Sequence, residues 1–205
     1  PLQQAKVTFS EPDFQVDLTW TGITPMQDCI DLTSDSGGSF ASEVAHAHLE
    51  QVCRVTGQIV TRDGEVIPID SKGFRDLSVG PRNYDVMRHH RLMWPIFDDG
   101  TAIVAVRGTP VSGDDAYMRM LFDGTQWVAI TDLQNNDEFE EDGVTVYRAQ
   151  WSVTDATGRR WDFKARNLFR CLFPFDTYLV TGQMMEFELP DGTLGYGLCE
   201  SGFRL

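Results

Sequence analysis

Six tight-turn signals divide the chain at intervals that suit antiparallel strands. Asp-Gly occurs at Asp63-Gly64, Asp99-Gly100, Asp123-Gly124, Asp142-Gly143 and Asp191-Gly192, and Thr157-Gly158 makes the sixth. Glycine reaches positive φ at little steric cost, so these pairs favour the short connections that join hairpin strands. The flanks fit that reading. Val55 to Thr61 faces Glu65 to Ile69, and Leu92 to Phe97 faces Thr101 to Arg107. Tyr117 to Phe122 faces Gln126 to Thr131, Val144 to Val153 faces Arg159 to Leu168, and Tyr178 to Leu189 faces Thr193 to Glu200. The pattern predicts an all-β antiparallel meander of ten or more strands, closed as a barrel or stacked as a sandwich. Barrels of that size often enclose one small ligand.

Alternation supports the strands locally. Val144, Val146, Arg148, Gln150 and Ser152 would share one face, with Tyr147, Ala149, Trp151 and Val153 on the other. Helical periodicity is weak throughout, the best candidate being a short turn near Asp85 to His90. Residues 31–42 are rich in Ser, Gly and Asp and read as a mobile loop. At 205 residues and 41% apolar content, the chain suits a single domain over residues 1–205 with a real core.

Charge and cysteine content narrow the function classes. A net charge of -14 argues against nucleic acid or an anionic membrane as partner. No apolar run reaches the length of a membrane span and no secretory leader is visible. Cys29, Cys53, Cys171 and Cys199 form no CxxC pair and are too sparse for a disulfide scaffold, which points to reduced thiols in a cytoplasm. There is no GxSxG, P-loop or dinucleotide fingerprint. That weighs toward chemistry without an organic cofactor, or toward a binder.

Four polar groupings stand out. Residues 71–84 hold Gly73, Arg75, Asp76, Ser78, Gly80, Pro81, Arg82 and Tyr84 between apolar, strand-like runs at Val66 to Ile69 and Leu92 to Phe97. Such groups must face water or line a cavity in which each finds a partner. In a dry pocket Asp76 would hold its proton and could donate it, whereas Arg75 or Arg82 nearby would keep it ionised. A buried Arg75–Asp76 brace at a bend is the structural alternative. His46, His48 and Glu50 fall at i, i+2 and i+4, so on a strand they share a face that could bind a divalent metal, with His89 or His90 as a further ligand. A hydrogen-bonded strand face explains the same spacing, and the expectation is no metal. Tyr84, His89, His90, Trp94 and Pro95 form a dense aromatic and imidazole group suited to an aromatic ligand. Trp127, Trp151, Trp161, Phe169, Phe173 and Phe175 read as core or rim. Gly195 to Glu200 ends the chain with a carboxylate on an apolar strand, facing either inward or outward.

Together the segments His48-Leu-Glu50-Gln51, Gly57, Asp63-Gly64 and Gly73-Phe-Arg75-Asp76-Leu-Ser78-Val-Gly80-Pro81-Arg82 resemble the core motif of a calycin-like, lipocalin-related group. That group is related to carotenoid 1,2-hydratases and AttH-type domains. Asp17 to Gly22 is similar to its strand before the motif, and Gly195 to Glu200 to its closing strand. The resemblance extends from about residue 14 to 200. Leu77 stands where the pattern has His, and Val79 where it has Trp. Members often carry two calycin halves, so the resemblance implies a barrel matching mainly the second half, with dimerisation replacing the first.

The resemblance implies an antiparallel calycin β-barrel of about ten strands. It also implies a cofactor-independent lyase, hydratase or isomerase acting by acid–base chemistry on a hydrophobic or phenolic small molecule in a barrel pocket. Asp76 would be the acid or base, set by Arg75, with His48 and Glu50 as further proton-transfer groups. Arg82, Tyr84, His89, Trp94, Tyr196 and Glu200 would bind the substrate. A non-catalytic carrier of a similar ligand, and a metal-dependent barrel enzyme using His46, His48 and Glu50, are the alternatives.

Overall fold

The computed structural model describes residues 3–32 and 43–205, most of them in antiparallel strands. In chain order these are β1 (Gln4–Ser10), β2 (Phe14–Gly22), β3 (Gln27–Asp28), β4 (Ala47–Thr61), β5 (Val66–Val79), β6 (Met87–Phe97) and β7 (Ala102–Pro110). They continue with β8 (Ala116–Phe122), β9 (Trp127–Phe139), β10 (Val146–Asp155), β11 (Arg160–Pro174), β12 (Tyr178–Glu188) and β13 (Leu194–Arg204). Helical structure among the described residues is limited to single turns, at Cys29–Leu32, at Glu43 and Val44, and as a 3-10 turn at Tyr84–Val86. The last falls where the sequence placed a short turn. Of the loop expected over residues 31–42, Asp31 and Leu32 close the first of these turns and residues 33–42 lie outside the described residues.

The chain divides into two compact units, residues 1–27 with 49–77, and residues 28–48 with 78–205. The first is built on an open antiparallel sheet in which β2 lies between β1 and β4, and β5 pairs with the other side of β4. The short β3 belongs to the same sheet. In this unit Gln51 donates from Nε2 to the Thr24 carbonyl at 2.8 Å, and Thr24 Oγ1 accepts from the Val52 amide at 3.0 Å, so buried polar groups are satisfied where the chain enters β4. Gly57 sits in β4 at φ 141°, and a Cβ there would lie 2.0 Å from the Asp17 carbonyl oxygen, so only glycine lets β2 and β4 approach at that point.

The second unit contains a closed barrel of eight strands in simple up-and-down order, β6 to β13, sealed where β13 pairs with β6 from Gly195↔Phe97 to Phe203↔His89. Closure satisfies every edge and removes the unpaired rows that an open sheet exposes. All six turn signals sit at hairpin connections with positive φ at the glycine, from 69° to 97°. The side chains reinforce them: Asp123 Oδ1 accepts from the Thr125 and Gln126 amides, and Asp99, Asp142, Asp155 and Asp191 accept from amides two residues on in the same way.

One half of the barrel interior is packed dry. Phe97, Phe163 and Phe187 meet edge to face at 6.0 to 6.5 Å between ring centres, within a cluster that includes Met93, Ile103, Trp151, Val153, Trp161 and Met185. The alternation expected on β10 breaks at a bulge between Val146 and Arg148. Strict period two put Val146 with Arg148 and Tyr147 with Ala149. The extra residue shifts the parity, so Val146 joins Ala149, Trp151 and Val153 in the core while Tyr147 is exposed. Trp127, Trp151 and Trp161 are buried, whereas Phe169, Phe173 and Phe175 are exposed. All four cysteines are free, Cys171 exposed and the others buried. No helix among the described residues is long and apolar enough to cross a membrane.

Candidate functional site

Two groups of ionisable side chains stand out, one in each unit. In the N-terminal sheet, the polar run at 71–79 is the second half of β5 itself, not an interruption between strands. Pairing with β4 supplies its backbone hydrogen bonds, so the segment needs no loop. Glu50 on β4 is fully buried, and its carboxylate lies within 4.8 Å of that of Asp76 on β5. These two carboxylates could together hold a cation or pass a proton between them. Asp76 itself is exposed, as are Leu77 and Val79, so the dry pocket expected around Asp76 is not what encloses it. Arg75 is half-buried, and its positive charge partly offsets the burial that pushes the Cys53 thiol up. His46 precedes β4 and is exposed while His48 and Glu50 are buried, so the three do not share one environment along the strand.

In the barrel unit, β6 places His90, Leu92 and Trp94 on the outer face and His89, Arg91 and Met93 on the inner one. The inner assignment follows from Arg91, whose guanidinium pairs at 3.1 Å with Asp137 on β9, a strand that is not a neighbour of β6. On the outer face, His90 lies between two partners. Its Nδ1 is 2.9 Å from the Tyr178 hydroxyl and its Nε2 is 2.9 Å from Glu200 Oε1. An ionised carboxylate only accepts, so Nε2–H donates to Glu200 and Nδ1 accepts from the Tyr178 hydroxyl. Burial, helped by Tyr84 and Glu200, pushes the Tyr178 phenol well above its ordinary range, which keeps it a proton donor. Tyr178 is 1% exposed and the His90 side chain 9%, while that of Glu200 is 31% exposed. The row therefore runs from a carboxylate that solvent reaches to a phenol that it does not.

Packing fixes the row. The His90 and Tyr178 rings stack at 5.6 Å with 12° between planes, and Tyr84 stacks on Tyr178 at 5.4 Å and on Phe175 at 5.9 Å. Gly202, paired with His90 across the β6–β13 ladder, makes room: a Cβ there would meet His90 Cε1 at 2.2 Å and Tyr178 Cε1 at 2.4 Å. Farther along the same face of β6, Trp94 meets His48 edge to face at 6.5 Å. The His48 amide is held by Asp28 Oδ1 at 3.2 Å.

The expected residues thus separate. Glu200 and Tyr84 join the His90 row, and His48 meets Trp94. His89 does not accompany them, because adjacent strand residues face opposite ways. It packs at a tilt against Phe203, 5.3 Å between ring centres, inside the barrel, where burial, with Arg91 and Arg107, lowers its pKa to about 4. Tyr196 shares the outer face of β13 with Glu200 but lies about 13 Å along the strand, exposed, with its hydroxyl donating to Glu186 at 3.1 Å. Arg82 is exposed at φ 55°, its amide donating to the Val44 carbonyl, and its position is set by the chain turn. Tyr178 and the central role of His90 were not read from the sequence. His90 could be seen only as one of two adjacent histidines, and nothing local marked Tyr178.

Comparison with solved structures places the fold. The chain is similar to a protein assigned as AttH from Nitrosomonas europaea, with a TM-score of 0.65 and 14% identity over 98% of this chain and 66% of that one. It is also similar to kievitone hydratase from Nectria haematococca, with a TM-score of 0.62 and 13% identity over 98% of this chain and 65% of that one. The chain spans just under two thirds of each of these proteins. The likeness bears out the all-β, antiparallel, calycin-like fold and carries no residue correspondence. No curated protein matches the chain. A family model described as a domain of unknown function matches residues 1–203, and the chain accordingly belongs to that family, DUF7064.

Proposed function

We propose that the chain is an acid–base enzyme of the hydratase or lyase type, adding water to or removing it from a hydrophobic or phenolic small molecule without an organic cofactor. The carrying observation is the row Tyr178–His90–Glu200, with both links at 2.9 Å and only its carboxylate end open to solvent. In this reading Glu200 takes up a proton from water or the substrate as the carboxylate and returns it as the acid, while the Nε2–H of His90 orients the carboxylate and stabilises its charge. Tyr178 holds the imidazole tautomer and orientation from the other side, as a buried partner does for catalytic histidines elsewhere. Trp94, His48 and Tyr84 offer aromatic surface for a phenolic ring. The likeness to a hydratase structure is consistent with this reading at the level of fold.

A second reading puts the proton chemistry on Asp76 and Glu50, because their carboxylates lie within 4.8 Å of each other and Glu50 is fully buried. One experiment separates the two. A panel of alkene-bearing phenols is incubated in 18O-labelled water, and label incorporation is read by mass spectrometry. Glu200→Gln should slow turnover by about 10²–10⁴-fold, the usual size of a lost general acid–base group, while Asp76→Asn leaves it near the wild-type rate. His90→Gln should shift the pH profile as well as the rate, as expected for a group acting through Glu200. The reverse pattern for Glu200 and Asp76 establishes the second reading. Tight binding of the panel with no label uptake makes the protein a carrier and overturns both.

A further inference from the structure

The interior of the barrel is dry at one end only. Toward the other end, where β6 and β8 begin and β7, β9 and β13 finish, its lining turns cationic. Arg91 on β6 and Arg107 on β7 are direct cross-strand partners on the inner face, and Arg119 on β8 shares that face two residues beyond Tyr117. Like charges placed directly opposite each other in a sheet repel, and a fold has no use for the arrangement by itself. Arg91 is answered: it pairs with Asp137, bonds Ser201 Oγ, and lies over the Phe139 and Phe203 rings. Arg119 donates to the Thr131 carbonyl at 3.1 Å and stacks on Tyr117 at 4.4 Å.

Arg107 is answered poorly. Its nearest carboxylate, Asp115, stands at 3.8 Å, beyond hydrogen-bond length; its Nε is buried with no hydrogen-bond partner among the described residues, as are those of Arg91 and Arg119, but unlike theirs its guanidinium has no other hydrogen bond or ring contact among those residues. A buried charged N–H left without an acceptor is costly, and such groups in native proteins call for an explanation. The side chain is 30% exposed, so an outside molecule can reach it. Beside it, His89 is kept from protonating by burial and by Arg91 and Arg107, opposed only by Asp115, which marks the local field as positive in a chain of net charge -14. Tyr117 and Phe203 add aromatic walls to this mouth.

We propose that this end of the barrel is a binding site for the carboxylate of a small aromatic or otherwise apolar organic acid, received by Arg107. The site is separate from the His90 row, because His89 and Arg91 face the interior while His90 faces out. It does not depend on the reaction proposed for that row. A carboxylate would give Arg107 the acceptor that Asp115 does not reach, in the planar two-point geometry that guanidinium groups favour, and would relieve the Arg91–Arg107 repulsion. The aromatic walls favour an acid with an apolar body over a bare ion.

Benzoate is the probe. Calorimetric titration of the full chain at fixed ionic strength should show saturable one-to-one binding. Arg107→Gln should weaken it by about 10- to 100-fold, the range for losing a charged hydrogen-bonding partner. Asp115→Asn should tighten it, since it removes the carboxylate that competes for Arg107. A misfolded variant can only lose binding, so the Asp115 result keeps the test decisive. Absence of saturable benzoate binding in both the wild type and Asp115→Asn would overturn the site. Inorganic phosphate binding as tightly as benzoate would overturn the assignment to an apolar carboxylate.

Discussion

The Arg91–Asp137 pair allows a prediction whose size follows from its surroundings. Both side chains are 4% exposed, and they meet at 3.1 Å across the barrel interior. Asp137 also accepts from the Trp151 indole at 2.8 Å and from Asn135 Nδ2 at 3.0 Å. Asp137→Asn keeps the volume but removes the charge that faces Arg91, and it puts an amide NH2 where a carboxylate accepted from Trp151 and Asn135. Breaking a buried pair in this way costs about 3–5 kcal/mol, because the remaining charge stays desolvated. Burial already lowers the Arg91 pKa against the pull of Asp137, so removing that carboxylate leaves a desolvated charge without its counter-charge. For a chain of this size each kcal/mol moves the melting point by roughly 2–4 °C, so a fall of about 10 °C is expected. Replacing both partners together, Arg91→Met with Asp137→Leu, should restore most of the loss, since two well-packed apolar groups replace two desolvated charges. Urea unfolding followed by tryptophan fluorescence reports on this directly, because Trp151 bonds the mutated residue. A single Asp137→Asn variant within about 1 kcal/mol of wild type would refute the reasoning, as would a double variant no better than the single one.

Three further outcomes are expected. Gly202→Ala should disrupt the His90 row, since its Cβ would stand 2.2 Å from the imidazole; overpacking of this kind costs about 1–3 kcal/mol, visible as a lower melting point together with lost turnover. His89 titrates near 4 in the folded chain against 6.5 for a free imidazole, so between those values the unfolded chain binds the extra proton. Stability should be full above pH 6.5 and decline as the pH falls toward 4, by roughly 2–3 kcal/mol given the partial exposure, and His89→Gln should flatten that part of the profile in denaturant melts. Asp76→Asn should move the melting point by no more than about 0.5 kcal/mol equivalent, as an exposed polar substitution, and a collapse of several degrees in calorimetry would show that Asp76 braces the sheet after all.

Local chemistry determined the strand inventory. Asp-Gly pairs favour positive φ and a self-capping carboxylate, so all six turns and five of the six hairpins around them were legible from neighbours in sequence. The all-β class followed, and so did the free cysteines and the aromatic character of the segment around Tyr84 to Trp94. The facing of side chains was legible only where the ladder is regular. One inserted residue at Val146 to Arg148 reversed the assignment of Tyr147, because a bulge has no signature in a run of alternating residues. The candidate site was decided by tertiary structure. Tyr178, His90 and Glu200 come from the start of β12, from β6 and from the end of β13, separated by 88 and 110 residues in the two pairings, and only barrel closure aligns them. Closure likewise determined which of the adjacent pair His89 and His90 faces the interior, and brought Arg91 to Asp137. Hydrophobic pattern and turn propensity act over a few residues. The register that joins the last strand to the first barrel strand depends on the sum of every turn and bulge between them, and no local stretch of sequence carries that sum.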